Sequence, residues 1–367
     1  MHSELLLVMV VAVALAFDFT NGFHDTANVV AAAISTRAMS PRRAVALASV
    51  LNFVGALLSL KVAATIATGI IDAGRVTETI AFAGLMGAIA WNLITWVYAL
   101  PSSSSHALIG GVIGAMLAAV GSGVRWHGVL TKVVVPAIVG PLGAFVVAGA
   151  AIMIVYRLFG RRNPGRVTRG FRFGEILSSS ALALAHGTND AQKTMGVITL
   201  ALVAHGSLPA AHIHVPLWVV LGAASAMAAG TYAAGWRIIR TVGTRIIKMD
   251  AAQGFVAQTA SALVILGSSH LGYPLSSTQV ISGGVMGAGA GKRLSAVRWG
   301  VAGNIVLAWV LTLPLAGLLG AIAYWITSLF GTGALGPVLI VLVASGVVAY
   351  GARLRRIEAV RATGPAS

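Results

Sequence analysis

The chain has 367 residues, of which 57% are hydrophobic and 9% charged, whereas a soluble domain carries about a quarter charged residues, so a water-soluble globular fold is excluded. A net charge of +16 would suit nucleic acid, but the Arg and Lys residues gather in a few loops and no basic stripe is interleaved with stacking aromatics, which excludes that partner. Cysteine is absent, and with it disulfides, thiolate chemistry and Cys-ligated zinc.

The apolar runs are long and unbroken, the pattern of spanning helices and not of barrel strands, which predicts an all-α polytopic membrane protein with about 10–12 membrane segments. The first run extends from Met1 to about Arg37. No basic segment precedes it and no small-x-small cleavage site follows, so residues 5–17 are expected to be a retained helix. It exceeds the roughly twenty residues needed to span, so it must tilt or break. The expected break lies between Asp18 and Asp25, where Gly22 and polar neighbours interrupt the Leu/Val/Ala pattern. Beyond Arg37, Arg42 and Arg43 a second span is expected over about 44–69, followed by a turn with Asp72, Arg75 and Glu78. Residues 79–99 then lead to Leu100-Pro101-Ser102-Ser103-Ser104-Ser105-His106 and an apolar, Gly-rich run to about Gly121. Proline followed by hydroxyls ahead of an apolar run reads as a helix stop and an N-cap.

Two stretches occur twice. Asn21-Gly22-Phe23-His24-Asp25-Thr26-Ala27-Asn28 is echoed about 165 residues later by His186-Gly187-Thr188-Asn189-Asp190-Ala191-Gln192-Lys193. Tyr273-Pro274-Leu275-Ser276-Ser277-Thr278-Gln279 likewise echoes the proline-serine stretch, Ser103 to Ser105 aligning on Ser276 to Thr278. Two motifs recurring in one order specify an internal duplication: repeat 1 over 1–156, a basic cytoplasmic linker over 157–172, and repeat 2 over 173–328. An extra membrane helix is expected at 329–353 and a cytoplasmic tail at 354–367. The arginines from Arg157 to Arg172 place that linker inside, and the loop charges put the N-terminus outside and the C-terminus in the cytoplasm. The Pro101 segment then starts and ends outside and the Pro274 segment inside, whether each crosses or re-enters. The halves are therefore inverted in topology with broken or re-entrant helices, an arrangement of secondary transporters with a binding site near the midplane.

A helix start headed by serines at membrane depth offers free N–H groups, a positive dipole end and hydroxyl donors, all suited to an oxyanion. A membrane serine often bonds back to its own helix. Four in a row after proline, echoed in the other half, favour a site made of Ser103, Ser104, Ser105, Ser276, Ser277 and Thr278. Unpaired Asp25 and Asp190 would repel that anion, so a cation is expected between them, sodium or a divalent metal, with amide oxygens of Asn28, Asn189 or Gln192. His24 and His186 could carry a proton instead. Lys193 pairs with Asp190 or with the anion. Asn21, Asn52, Asn92, Gln258, Lys61 and His106 are supporting candidates, against the ordinary role of a buried amide bonding between helices. An intramembrane serine hydrolase using His106 is a weak rival, because Ser105 and His106 point about 100° apart and the second copy has Gln279. An anion channel is the other rival.

These motifs resemble those of the PiT family of inorganic phosphate transporters, in particular its bacterial low-affinity branch, across both halves. The resemblance implies an inner-membrane symporter that takes up phosphate, free or as a metal-phosphate complex, with protons or sodium. It implies cation or proton handling at Asp25, Asn28, Asn189 and Asp190, and phosphate contact by the six hydroxyl residues. His24 stands where the sodium-coupled branch usually has Asn, which bears on the coupling ion. Some relatives carry sulfate. The expected partners are phosphate, a coupling cation, lipid and a second copy of the chain, with no resident cofactor and no enzymatic activity.

Overall fold

The computed structural model describes residues 2–98, 100, 102–209, 213–233, 249–331 and 333–346. Pro101, the basic stretch 237–248 and everything beyond 346, including the end of the extra span and the tail, lie outside the described residues. Within them the chain is helical: α1 (His2–Ser35), α2 (Pro41–Ala56), α3 (Lys61–Gly69), α4 (Glu78–Val97), α5 (Ser104–Val120), α6 (Trp126–Phe159), α7 (Pro164–His205), α8 (Leu217–Ala233), α9 (Ala251–His270), α10 (Ser277–Lys292), α11 (Trp299–Ser328) and α12 (Leu335–Gly346). Among the described residues five helices are long and apolar enough to cross a membrane, or six with α2 and α3 taken as one bent span. α6 and α11 form the rim: only 28% of each apolar window is buried, and side chains such as Ile138, Val146, Val306 and Leu318 face outward, as lipid-facing residues do. They also match as repeats, Trp126 on Trp299 at the start and Pro141 on Pro314 inside the helix.

Two expectations need correction, the break at Gly22 and the single unbent span over 44–69. α1 is one continuous helix through Gly22, and α7 runs unbroken through Gly187. The glycines serve contact instead. A Cβ at Gly22 would lie within 3.0 Å of the Met227 carbonyl on α8, and one at Gly187 within 3.0 Å of the Asn52 carbonyl on α2. Gly230 and Gly55 return the favour toward Phe19 and Leu184, so two pairs of helices touch backbone to backbone through small residues. The break falls elsewhere: the expected single span over 44–69 is α2 and α3, bent by 63°. The bend is held because the freed Val62 and Ala63 N–H groups donate to Gln192 Oε1 at 2.8 and 3.2 Å.

Gly187→Ala is accordingly expected to cost about 1–3 kcal/mol through overpacking, read as a lowered unfolding temperature of the detergent-purified protein.

The hairpins interlock. α5 and α10 are buried along most of their 17 and 16 residues, too short to cross a hydrocarbon core of about 30 Å alone. α5 packs on α4 and on α11 of the other half, while α10 packs on α9 and on α6. Equivalent glycines mediate both contacts, Gly110 and Gly114 against α11, Gly283 and Gly287 against α6.

At one end of this assembly α9 begins with a capping box: Gln253 N–H donates to Asp250 Oδ1 and Asp250 N–H to Gln253 Oε1, each at 3.0 Å. Tyr156 donates to Asp250 Oδ2 at 2.6 Å and Lys292 at 2.9 Å, fastening α9 to α6 and α10. Burial pushes the Asp250 carboxyl up, but the hydrogen bonds from Tyr156, the Gln253 backbone and Lys292 outweigh it and hold the carboxyl below its usual value. A depressed carboxyl adds stability above its unfolded pKa of about 3.9, and that gain is lost as pH falls through the lower folded value. Thermal unfolding of Asp250→Asn is therefore expected to trail the native protein at neutral pH, the gap closing below about pH 4.

Candidate functional site

Asp18, Asn21, Asp25 and Asn28 recur along α1 at intervals of three and four and so share one face; His186, Asp190 and Lys193 do the same on α7. All seven are buried, Asp25 and Asp190 at 0% exposure. The two faces meet: ligand atoms of Asp25, His186 and Asp190 all lie within 4.8 Å of one another.

The starts of α5 and α10 close on this pair. Ser103 and Ser276 are the N-caps, their oxygens accepting from His106 N–H at 3.1 Å and Gln279 N–H at 3.4 Å. The next hydroxyl on each helix reaches the carboxylate of its own half. Ser104 Oγ lies 2.8 Å from Asp25 Oδ2 and 2.7 Å from Asn21 Oδ1, and Ser277 donates to Asp190 Oδ2 at 2.6 Å. The third hydroxyl crosses over. Thr278 donates to Asp25 Oδ1 at 3.0 Å while accepting from Asn28 Nδ2 at 3.0 Å, and Ser105 accepts from Lys193 Nζ at 2.5 Å. Lys193 also pairs with Asp190 and donates to the Leu275 carbonyl at 2.7 Å. Each carboxylate thus receives a hydroxyl from one hairpin and a partner tied to the other.

The imidazoles flank the pair. His24 Nδ1 lies 2.9 Å from Asp25 Oδ1, and His186 Nε2 lies 3.0 Å from Asp190 Oδ2 with Nδ1 3.2 Å from Asn52 Oδ1. Asn189 holds the turn before α10, its Nδ2 donating to the Leu275 carbonyl at 2.7 Å and to Asp190 Oδ1 at 2.8 Å. His106 and Gln279, equivalent in the two halves, meet at 3.1 Å across the centre.

Other candidates fall away from the carboxylates. Gln192 is corrected from cation ligand to cap of α3, since its Oε1 is taken by Val62 and Ala63 and its Nε2 by the Thr188 carbonyl. Lys61 is exposed. Asn52 stays behind the centre, backing the His186 ring that meets Asp190 while donating to Thr231, whereas Gln258 links Ser178 to the Val29 carbonyl between helices. Asn92 is buried with neither amide atom bonded. Asp18 enters the centre without having been picked out beforehand. It is fully buried, beside Asn21 and Thr194. Its place seven residues before Asp25, on the same face, was the available signal.

Buried ions at membrane depth, gathered where four helices meet and headed by two helix starts, define a multi-pass membrane transporter. The sequence model of the phosphate transporter family matches residues 21–168 and 159–320. The chain belongs to that family.

A probable low-affinity inorganic phosphate transporter of Mycobacterium bovis is 56% identical over 327 residues, covering 89% of this chain and 78% of that protein. Proteins of the same description from Rhizobium meliloti and Bacillus subtilis are 48% and 42% identical, covering 88% and 89% of this chain and 97% and 98% of their own length. A solved structure of a sodium-dependent phosphate transporter superposes with a TM-score of 0.80 at 24% identity, covering 88% of this chain and 99% of that one, a likeness of fold. These relatives are transporters and not enzymes, which sets the serine-hydrolase reading aside. The resemblance drawn from the four motifs holds at the level of the family.

Proposed function

We propose that the chain is a secondary active symporter that imports inorganic phosphate, free or as a neutral metal-phosphate complex, across the cytoplasmic membrane together with a proton or sodium. The repeats, 1–156 and 173–328, are taken as inverted in topology, with the linker 157–172 in the cytoplasm. Alternating access comes from one half rocking against the other around the fixed centre.

One observation carries the reading: the hydroxyls suited to bind an anion are engaged with the carboxylates, Ser104 with Asp25 and Ser277 with Asp190. Phosphate must compete with those carboxylates for the same donors, and Asp25, which has no lysine against it, repels it. A cation or proton arriving at Asp25 removes that repulsion and releases its hydroxyl, so each ligand raises the affinity of the other. The helix starts add unfilled N–H groups and a positive dipole end at the same spot.

The test is uptake of labelled phosphate into proteoliposomes. Uptake is expected to rise with an inward proton or sodium gradient and to accumulate phosphate above its outside concentration. Flux indifferent to every imposed cation gradient would defeat the reading and support a channel.

A further inference from the structure

Asn28 and Lys193 hold the same place in the two halves. Each follows its aspartate by three residues, and each reaches the third hydroxyl of the opposite hairpin: Asn28 Nδ2 to Thr278 at 3.0 Å, Lys193 Nζ to Ser105 at 2.5 Å. The surroundings correspond and the occupants differ, a neutral amide in one half and an ammonium in the other. Around Lys193 Nζ stand a carboxylate oxygen of Asp190, the Ser105 hydroxyl and the Leu275 carbonyl. Carboxylate, hydroxyl and carbonyl oxygens are the donors that hard cations select, and here they take up the three N–H donors of one ammonium. Lys193 is 1% exposed, so in this structure its charge is held by those oxygens and not by water.

The first half lacks that charge. Asp25 is met by Ser104, Thr278, Asn28 and the His24 ring. Asn28 Oδ1 is buried with no hydrogen-bond partner, and turning the amide over brings that oxygen to where its nitrogen now faces Asp25 and Thr278. The shorter side chain leaves to a mobile ion the place that Lys193 fills with its own.

We infer that Lys193 is a tethered cation that permanently fills one of two equivalent cation positions, leaving a single exchangeable position for a small hard cation at Asp25, Asn28 and Thr278. This rests on the symport reading. The centre then takes one cation fewer per phosphate than a centre with asparagine in both places. Lys193 sets that number, and the charge it supplies never leaves the protein.

The experiment is equilibrium binding of labelled phosphate to the full chain in detergent, titrated with NaCl and separately with MgCl2 at constant ionic strength held by choline chloride. The slope of log affinity against log cation concentration counts the cations linked to phosphate. The native protein is expected to show a slope of about one with at least one of the two salts, and Lys193→Asn a slope steeper by about one. Asn28→Lys is expected to flatten it by about one. An unchanged slope in Lys193→Asn overturns the inference, as does a native slope of zero with both salts. Should Lys193→Asn fail to fold, Asn28→Lys decides alone: a flattened slope supports the inference and an unchanged one overturns it. Native protein that binds no phosphate in any salt defeats the symport reading itself, an outcome distinct from native binding with an unaltered slope in the variants.

Discussion

Asp25→Asn and Asp190→Asn are each expected to reduce gradient-driven phosphate uptake by about thirtyfold or more, since removing a buried, hydrogen-bonded charge from its partners costs about 2–5 kcal/mol. The two variants should nevertheless fail differently. Asp190 is paired with the Lys193 ammonium, and its loss strands a positive charge in a dry interior, which costs about 3–5 kcal/mol of stability. Asp25 has no lysine against it, and asparagine's oxygen can accept from one of Ser104 and Thr278 while its NH2 donates to the other hydroxyl. Asp25→Asn is thus expected to unfold near the native temperature and to be inert in transport, whereas Asp190→Asn unfolds well below it. Adding Lys193→Met to Asp190→Asn should restore folding without restoring uptake. Coupled uptake surviving in Asp25→Asn would remove the carboxylates from the mechanism.

Ser104→Ala and Ser277→Ala test the anion side. Each deletes a hydroxyl donor to a carboxylate and, on the reading above, to phosphate. A lost hydrogen bond to a charged group is worth about 1.5–3 kcal/mol, which predicts an apparent KM raised about 10- to 100-fold. Because both serines face one ligand, the double variant should fall short of the product of the single effects. The neighbouring caps are the control. Ser103→Ala and Ser276→Ala remove hydrogen bonds that start α5 and α10, so they should lower stability by about 1 kcal/mol and leave KM nearly unchanged. A raised KM in the caps with none in Ser104→Ala or Ser277→Ala would move the anion site off these hydroxyls.

Much of the centre was legible because the chain says it twice: Asp25 and Asp190, Ser104 and Ser277, read from repeated words, do converge. Where reading failed, one residue type had two uses. Gly22 was taken as a helix breaker, but a glycine also serves where two backbones touch, and only the neighbouring helix with its Met227 carbonyl distinguishes the two. Gln192 was grouped with Asp190 by nearness in the motif, though two residues along a helix turn a side chain about 200° away. The same geometry, applied to α1, would have included Asp18. The crossing of α5 onto α11 and α10 onto α6 left no periodic trace, because a helix lined with glycine and alanine does not name the helix it will meet.

That crossing bears on how such a chain could arise. A polypeptide one repeat long would leave the glycine faces of its hairpin and of its long rim helix without mates, since each is covered by the opposite half. A chain of that length is expected to be stable only as two copies embracing each other, and joining two such copies would leave each free to diverge, one keeping an asparagine where its twin has a lysine.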